Sequence, residues 1–571
     1  MANSQPPATS STTTITITTN NARDAAASLQ QKPPPRKRKS TPRSREGCLT
    51  CRTRRVKCDE TKPKCNNCIR HQSGCTWPDP PRRGGAGAAA ANVPLRPAAE
   101  QQQHLTVALR PALTTSAVKL TQKTERAFKY FQTESARQFA GYFDNDFWAV
   151  TVLQLAHAEP CVAQILVALG ARHEGYRNDV VARQPDPDAV MLCRRADEEY
   201  TKALHLFKRH IHARQWTDLH VTLTCAALCI AFDWLRGTEA DANIHLQTSL
   251  NTMAMWLSDT APLAPAERAG MTPVDSPEGR FIQKALKPIF ITMALHTRSL
   301  PSPPTIPVQV VSADDGHFGP FATLTEARDG LVLLLAYIFP EFITYYTTDF
   351  YGDTTTMQKD PLGSLRRWED ALNEYLARHP EESADPRADI LRLWHIGATL
   401  LFLGENNTTE GENFYDTMVP QFEYQIGLAE RLIETTEIPQ WRFSVDMGAI
   451  SCLYHTAVKC RNPDIRRRAI ALLKRWPRRE AVYDSLACAA LAEEIVKIEE
   501  GALREAAAAA EAEAAEEVVV RSEGDVPRHA RISGKVWSEC YRDDSGQRYN
   551  ELWVRREGEA EWSEEPRRVV W

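Results

Sequence analysis

Six cysteines between Cys48 and Cys75 constrain this chain more than any other feature. Cys48, Cys51, Cys58, Cys65, Cys68 and Cys75 follow C-x2-C-x6-C-x6-C-x2-C-x6-C, so a C-x2-C-x6-C unit occurs twice across a six-residue joint. Thiolates are soft ligands, and a two-fold repeat of them points to two metal ions. Two isolated tetrahedral zinc ions would need eight sulfurs; six suffice only where two cysteines ligate both metals, which selects a binuclear cluster. A stretch of roughly thirty residues buries too little apolar surface to offset the entropy of ordering it. Structural zinc contributes about 10–16 kcal/mol in small finger peptides, so metal binding and folding are one event here, and the module is expected to be unfolded without zinc.

Charge indicates what such a module would meet. Within Arg52-Thr53-Arg54-Arg55-Val56-Lys57, four of six residues are cationic, on a short helix held between Cys51 and Cys58. From Lys32 to Arg83 there are 16 Lys and Arg against 4 Asp and Glu, a net of +12, which leaves −16 on the rest of a chain whose total is −4. A basic head on an acidic body favours a polyanion, double-stranded DNA, as the head's partner.

At these residues the sequence resembles the fungal binuclear zinc cluster transcription factors. The cysteine spacing, Arg52, Arg54, Arg55, Lys57 and the pair Pro63-Lys64 carry the resemblance. It implies two zinc ions bridged by Cys48 and Cys65, one completed by Cys51 and Cys58 and the other by Cys68 and Cys75. It also implies a helix in the major groove with Arg54 and Arg55 at its tip, reading CGG-like triplets. Lysine is common there in the family, but arginine can grip guanine O6 and N7 bidentately. Arg52, Lys57, Lys62 and Lys64 are assigned to phosphates, which position a module without specifying sequence. The resemblance implies a cis bond at Pro63; a simple turn proline is an equal local reading.

Residues 1–43 are rich in Ser, Thr, Pro and Gln, with no apolar core after a charged start, so a disordered arm rather than a secretion signal is expected. Within it, Arg36, Lys37, Arg38 and Lys39 form a basic run that reads as a nuclear import signal beside the 44–78 zinc module. Residues 79–120 are expected to be a flexible linker. Pro94, Pro97 and Pro111 interrupt it and no heptad persists, so no coiled coil is evident and a homodimer is left open.

From 121 to 500 the pattern predicts a large all-α domain. Tyr200, Leu204, Phe207 and Ile211 fall on one helical face, as do Leu365, Trp368, Leu372 and Tyr375. Leu219–Ile230 is apolar but short for a bilayer, and reads as a buried core helix, so no membrane is expected as a partner. The segments around Phe143–Tyr176 and Cys225–Met253 resemble the helical regulatory region of fungal-specific transcription factors. That resemblance implies response to an effector, or contact with co-regulators or the transcription machinery. The remaining eight cysteines, Cys161, Cys193, Cys225, Cys229, Cys452, Cys460, Cys488 and Cys540, show no framework spacing and indicate a reducing compartment, with Cys225 and Cys229 read as buried small residues.

No H-E-x-x-H, G-x-S-x-G or phosphate-loop motif occurs, and the chain is not expected to be an enzyme. The polar clusters His157 with Glu159, His173 with Glu174, and Asp144 with Asp146 read as caps, exposed pairs or satisfied core groups. Residues 501–571 are expected to hold an Ala/Glu helix and a short C-terminal β-hairpin, with strands at Ser533–Tyr541 and Arg548–Arg555 and a turn at Asp543-Asp544-Ser545-Gly546. Trp537, Trp553, Trp562 and Trp571 are expected to pack on the body rather than form an activation segment. Together these features predict a nuclear, zinc-dependent, sequence-specific regulator of RNA polymerase II genes, with control of one metabolic gene cluster as the narrower form. A metal-thiolate redox or zinc sensor, or an enzyme fused to a zinc module, are the alternatives.

Overall fold

The computed structural model describes residues 51, 58–62, 64–70 and 75 of the cysteine segment. It describes 121–571 apart from 144–145, 183–186, 259–264, 301–302, 312–318, 340–342, 345–359, 408, 436–441, 510–519, 521, 539 and 544–546. The expected disordered arm, the basic run Arg36–Lys39, the linker, Cys48, Arg52, Arg54, Arg55, Lys57 and Pro63 lie outside the described residues. The chain forms two compact units, one spanning 7–102 and the other built from 103–571. Among the described residues of the first, a regular element is helix α1 (Asn66–Arg70).

The second unit is mostly helical. Its longer helices are α2 (Gln122–Tyr130), α3 (Pro160–Ala182), α4 (Pro187–Arg214), α5 (Leu219–Arg236), α6 (Glu239–Leu257), α7 (Lys287–His296), α8 (Leu324–Ile338), α9 (Pro361–Arg378), α10 (Pro386–Asn406), α11 (Val419–Thr435), α12 (Ile450–Lys459), α13 (Pro463–Arg475) and α14 (Ser485–Ala509). Their starts follow local chemistry. Thr323 accepts the Glu326 amide at 3.1 Å while the Glu326 carboxylate accepts the Ala322 amide at 2.8 Å; Asn462 caps α13 through the Ile465 amide, and proline opens α9, α10 and α13. Gly237, at φ +88°, ends α5 by donating to the Asp233 and Trp234 carbonyls, a left-handed cap that a Cβ would strain.

α3 packs along α4 and α5, and α5 along α6. Tyr200 and Phe207 on α4 are buried and Leu204 and Ile211 half-buried, as the periodicity predicts, and all four of Leu365, Trp368, Leu372 and Tyr375 on α9 are buried. Among the described residues α5 is the one helix long and apolar enough to cross a membrane, and all but its last residue lie inside the fold. Cys225 and Cys229 are buried on it.

The strands are short until the C-terminus. β1 (Arg442–Ser444) runs parallel to β2 (Arg478–Glu480), which turns back into β3 (Tyr483–Asp484). The Glu480 carboxylate at this small sheet accepts the Ala449 and Ile450 amides and so caps α12. The tail then forms β4 (Ile532–Trp537), β5 (Tyr541–Arg542), β6 (Arg548–Arg556) and β7 (Arg567–Val570). Tyr549 pairs with Tyr541 on one side and Val570 on the other, and Leu552 with Trp537 and Arg567, so β4 and β5 share one edge of β6 and β7 takes the opposite edge. The expected hairpin is present, interrupted between β4 and β5, and it is extended by β7, which its brevity and two consecutive arginines concealed.

A buried ionic cluster ties this sheet to the helices. Glu499 on α14 is fully buried and accepts Arg461 at 2.8 Å, Arg466 at 2.6 Å and the Ile532 amide of β4 at 2.8 Å. Arg461 also binds Glu412 at 2.8 Å, and Lys459 binds Glu412 at 2.5 Å. Burial alone would push the Glu499 carboxyl up, but Arg466 and Arg461 outweigh it and hold its pKa at about 2. Against an ordinary value of 4.5, the stability this supplies is complete above pH 4.5 and is lost as pH falls towards 2. Glu499→Gln is expected to cost about 3–5 kcal/mol at neutral pH, because Arg466 then keeps no counter-charge among the described residues. It should also flatten the acid limb of the stability curve, which chemical denaturation of the full chain at several pH values would measure.

Candidate metal centre

Five of the six cluster cysteines are described, and their side chains converge. Cys51, Cys58, Cys65 and Cys68 are buried and Cys75 half-buried, while the other described residues of the segment are exposed apart from the half-buried Asn67. The sulfurs of Cys51, Cys58 and Cys65 lie within 4.8 Å of one another, and so do those of Cys65, Cys68 and Cys75. Cys65 belongs to both groups. Each group holds three thiols; of the two residues that the resemblance makes common to both metals, Cys65 is the one described and Cys48 lies outside the described residues.

The donor set fits zinc. A tetrahedron with bonds of about 2.3 Å has sulfur–sulfur edges of about 3.8 Å. Cys51 Sγ lies 3.6 Å from Cys65 Sγ within the first group and 4.0 Å from Cys68 Sγ of the second, so the two groups abut closely enough to share ligands. Backbone amides turn towards the sulfurs: Glu60 N–H donates to Cys58 Sγ, Cys68 N–H to Cys65 Sγ and Cys65 N–H to Cys75 Sγ, each at 3.4 Å. Such donors stabilise thiolate over thiol, the form a metal requires.

The joint between the halves has its own scaffold. Asp59 Oδ2 accepts the Thr61 hydroxyl at 2.6 Å, the Asn66 side-chain amide at 2.7 Å and the Asn66 backbone amide at 3.2 Å, which fixes the start of α1. The Thr61 hydroxyl and then the Asn66 amide hold the Asp59 carboxyl at about 2. The sequence reading missed this residue; an aspartate two positions before a threonine is the local turn signal that identifies it. Lys62 and Lys64, assigned to phosphates, are exposed on this joint.

Elsewhere the polar clusters resolve into structure. His173 is buried against the Ser135 hydroxyl at 2.9 Å, and burial pushes its pKa down to about 3. Glu174 accepts Arg126 at 2.5 Å, His157 is exposed, and Asp146 is exposed beside Asp144, which lies outside the described residues. Glu159 lies 3.9 Å from His210, with the Cys161 thiol in the same group and Cys225 Sγ 3.6 Å from that thiol. The chain brings these together from α3, α4 and α5, which no local spacing reveals.

Residues 46–84 match the fungal Zn(2)-Cys(6) binuclear cluster domain, and residues 126–300 match the fungal specific transcription factor domain. Over these two stretches the chain is similar to the fungal zinc cluster transcription factors. Transcription factor lfc1 of Flammulina velutipes is 58% identical to this chain over 50 residues, covering 8% of the chain and 18% of the relative. An uncharacterized transcriptional regulatory protein of Schizosaccharomyces pombe is 30% identical over 149 residues, 26% of the chain and 27% of the relative. The aspercryptin biosynthesis cluster-specific transcription regulator atnN of Emericella nidulans is 23% identical over 222 residues, 37% and 35% respectively. The similarity thus spans well under half the length of these relatives. No solved structure matches the chain.

Because Cys65 alone is common to the two described thiol groups and Cys75 belongs to one, Cys65→Ser should strip more zinc than Cys75→Ser. Native mass spectrometry of the full-length variants would count the metal, and equal loss from both would contradict unequal sharing.

Proposed function

We propose that this chain is a zinc-dependent, sequence-specific DNA-binding regulator of RNA polymerase II transcription, acting in the nucleus. The observation that carries the reading is the pair of thiol groups meeting at Cys65, directly flanked by the cationic run Arg52–Lys57. A metal cluster folds the segment, and the fold fixes where its cations point. Zinc then serves structure rather than chemistry, since every thiolate is committed to the metals and no position is left open for a substrate.

Double-stranded DNA is the ligand that this charge distribution favours. Arg54 and Arg55 are assigned to base edges, with CGG-like triplets as the expected half-site, and Arg52, Lys57, Lys62 and Lys64 to phosphates. The exposure of Lys62 and Lys64 is consistent with that role. Arg36, Lys37, Arg38 and Lys39 supply the import signal. The helical domain is assigned to co-regulators or the transcription machinery, and the whole to regulation rather than catalysis. Control of one dedicated metabolic gene cluster is supported by the name of the Emericella nidulans relative, which is called cluster-specific.

Selection from random duplexes followed by fluorescence anisotropy tests the division of labour. Arg55→Ala should cost about 1–3 kcal/mol on the selected site and relax one base position. Lys64→Ala should weaken all sequences alike and reduce the salt slope by about one unit. Uniform loss from both variants, or no enrichment of CGG-containing duplexes, would overturn the assignment.

A further inference from the structure

Most charge inside the helical unit has a partner. A cavity of about 300 Å³ between α3, α14 and the C-terminal sheet is lined by arginines and acids that satisfy one another: Asp179 accepts both Arg542 and Arg548, and Glu239 accepts Arg479 at 3.4 Å. A smaller cavity of about 190 Å³ is different. It lies where α8, α10 and α12 meet β4, with walls of Leu335, Phe339, Trp394 and Leu401. Its lining carries two cations, Arg298 and Lys535, and among the described residues no carboxylate.

Arg298 is engaged: it pairs with Glu405 and lies over the Phe339 ring. Lys535 is not. Its Nζ sits 5.5 Å from the Tyr454 ring centre, and it has no hydrogen bond or ion pair among the described residues. The neighbouring polar groups lack partners too. The Tyr454 hydroxyl and both ring nitrogens of His455 are buried with no hydrogen bond. The phenol and the imidazole are costly to leave unsatisfied, and with the half-buried amine of Lys535 lining the same cavity they describe an acceptor that the described residues do not supply.

The local field has the same sign. Burial draws the Lys535 amine down to about 7 from 10.5, and Lys459 and Arg461 add to this while Glu412 and Glu405 oppose it. The cations Lys535, Lys459, Arg298 and Arg461 in turn add to the burial that holds His455 neutral. A bound anion would relieve all of them.

We propose that this cavity binds a small apolar molecule bearing one carboxylate. Its hydrocarbon or aromatic body rests against Leu335, Phe339, Trp394 and Leu401, and its headgroup accepts from Lys535 Nζ, the Tyr454 hydroxyl and His455. The apolar wall holds molecules of the right size, and the amine selects the acid over its alcohol or amide. Because β4 supplies Lys535 and the Ile532 amide at the other end of that strand binds Glu499, occupancy of the cavity bears on how the C-terminal sheet seats on the helices.

Calorimetric titration of the full-length protein with octanoate, and with 1-octanol as neutral control, tests the site. Octanoate should bind saturably. Lys535→Met, which keeps the length of the side chain, should weaken it by about tenfold or more, the scale of one charge-assisted hydrogen bond, and leave 1-octanol unchanged. Octanoate affinity should fall from about pH 6 to about pH 9 in the native chain and stay flat in Lys535→Met, since an amine of pKa about 7 must be protonated to hold the acid. Without ligand the variant should melt higher than the native chain, with the gap widening as pH falls from 10.5 towards 7. Tyr454→Phe, which removes only the hydroxyl, should weaken octanoate severalfold. The proposal is overturned if octanoate fails to bind the native chain, if both variants bind it as tightly as the native chain, or if 1-octanol weakens in parallel.

Discussion

The structure of the N-terminal module depends on the scarcity of sulfur. Two zinc ions that each demand four ligands would meet a segment that offers six, and the shortfall would press the two halves against each other. Cys65 takes part in both described thiol groups, so neither half is complete without the joint between them. A segment with little else buried would thereby acquire a fixed shape. In the proposed reading ligand count sets sharing, sharing sets compaction, and compaction would let arginine carry sequence information rather than mere attraction to phosphate.

The helical unit is held by the opposite means. It has a large apolar core, and its unusual expense is ionic. Glu499, Arg461 and Arg466 are stripped of water almost completely and are stable only as a set, with the Ile532 amide as a further donor. Such a cluster adds less net stability than it commits the fold to one arrangement, because any alternative seating of the C-terminal sheet strands a charge. Lys535, on the same strand, lacks this protection among the described residues. The contrast between a carboxylate answered by two arginines and an amine answered by none is what singles out its cavity.

Much of this was legible in the residues. The cysteine spacing determines the ligand count without any structure, and helical periodicity predicted the buried faces of Tyr200 and Phe207 on α4 and of Leu365, Trp368, Leu372 and Tyr375 on α9. The hairpin at the C-terminus followed from alternation, and Trp537 packs against Tyr454 of the body at 5.4 Å between ring centres, as expected of a tail tryptophan. What escaped was long-range. β7 is four residues with two arginines and reads as surface until β6 pairs with it. Glu499 looks like one more exposed helix acid, since its partners lie 33 and 38 residues away in sequence. Asp59 was missed for another reason: its signal is local, and the more conspicuous cysteines and cations around it drew the assignment.

The central claim is that shared thiolates around zinc build the DNA-reading surface. Anisotropy of a labelled CGG-containing duplex, titrated with the full-length protein before chelation, after chelation and after zinc is restored, tests it most directly. The account predicts selective binding over a scrambled duplex that disappears with the metal and returns with it. Selective binding that survives complete removal of zinc would contradict it.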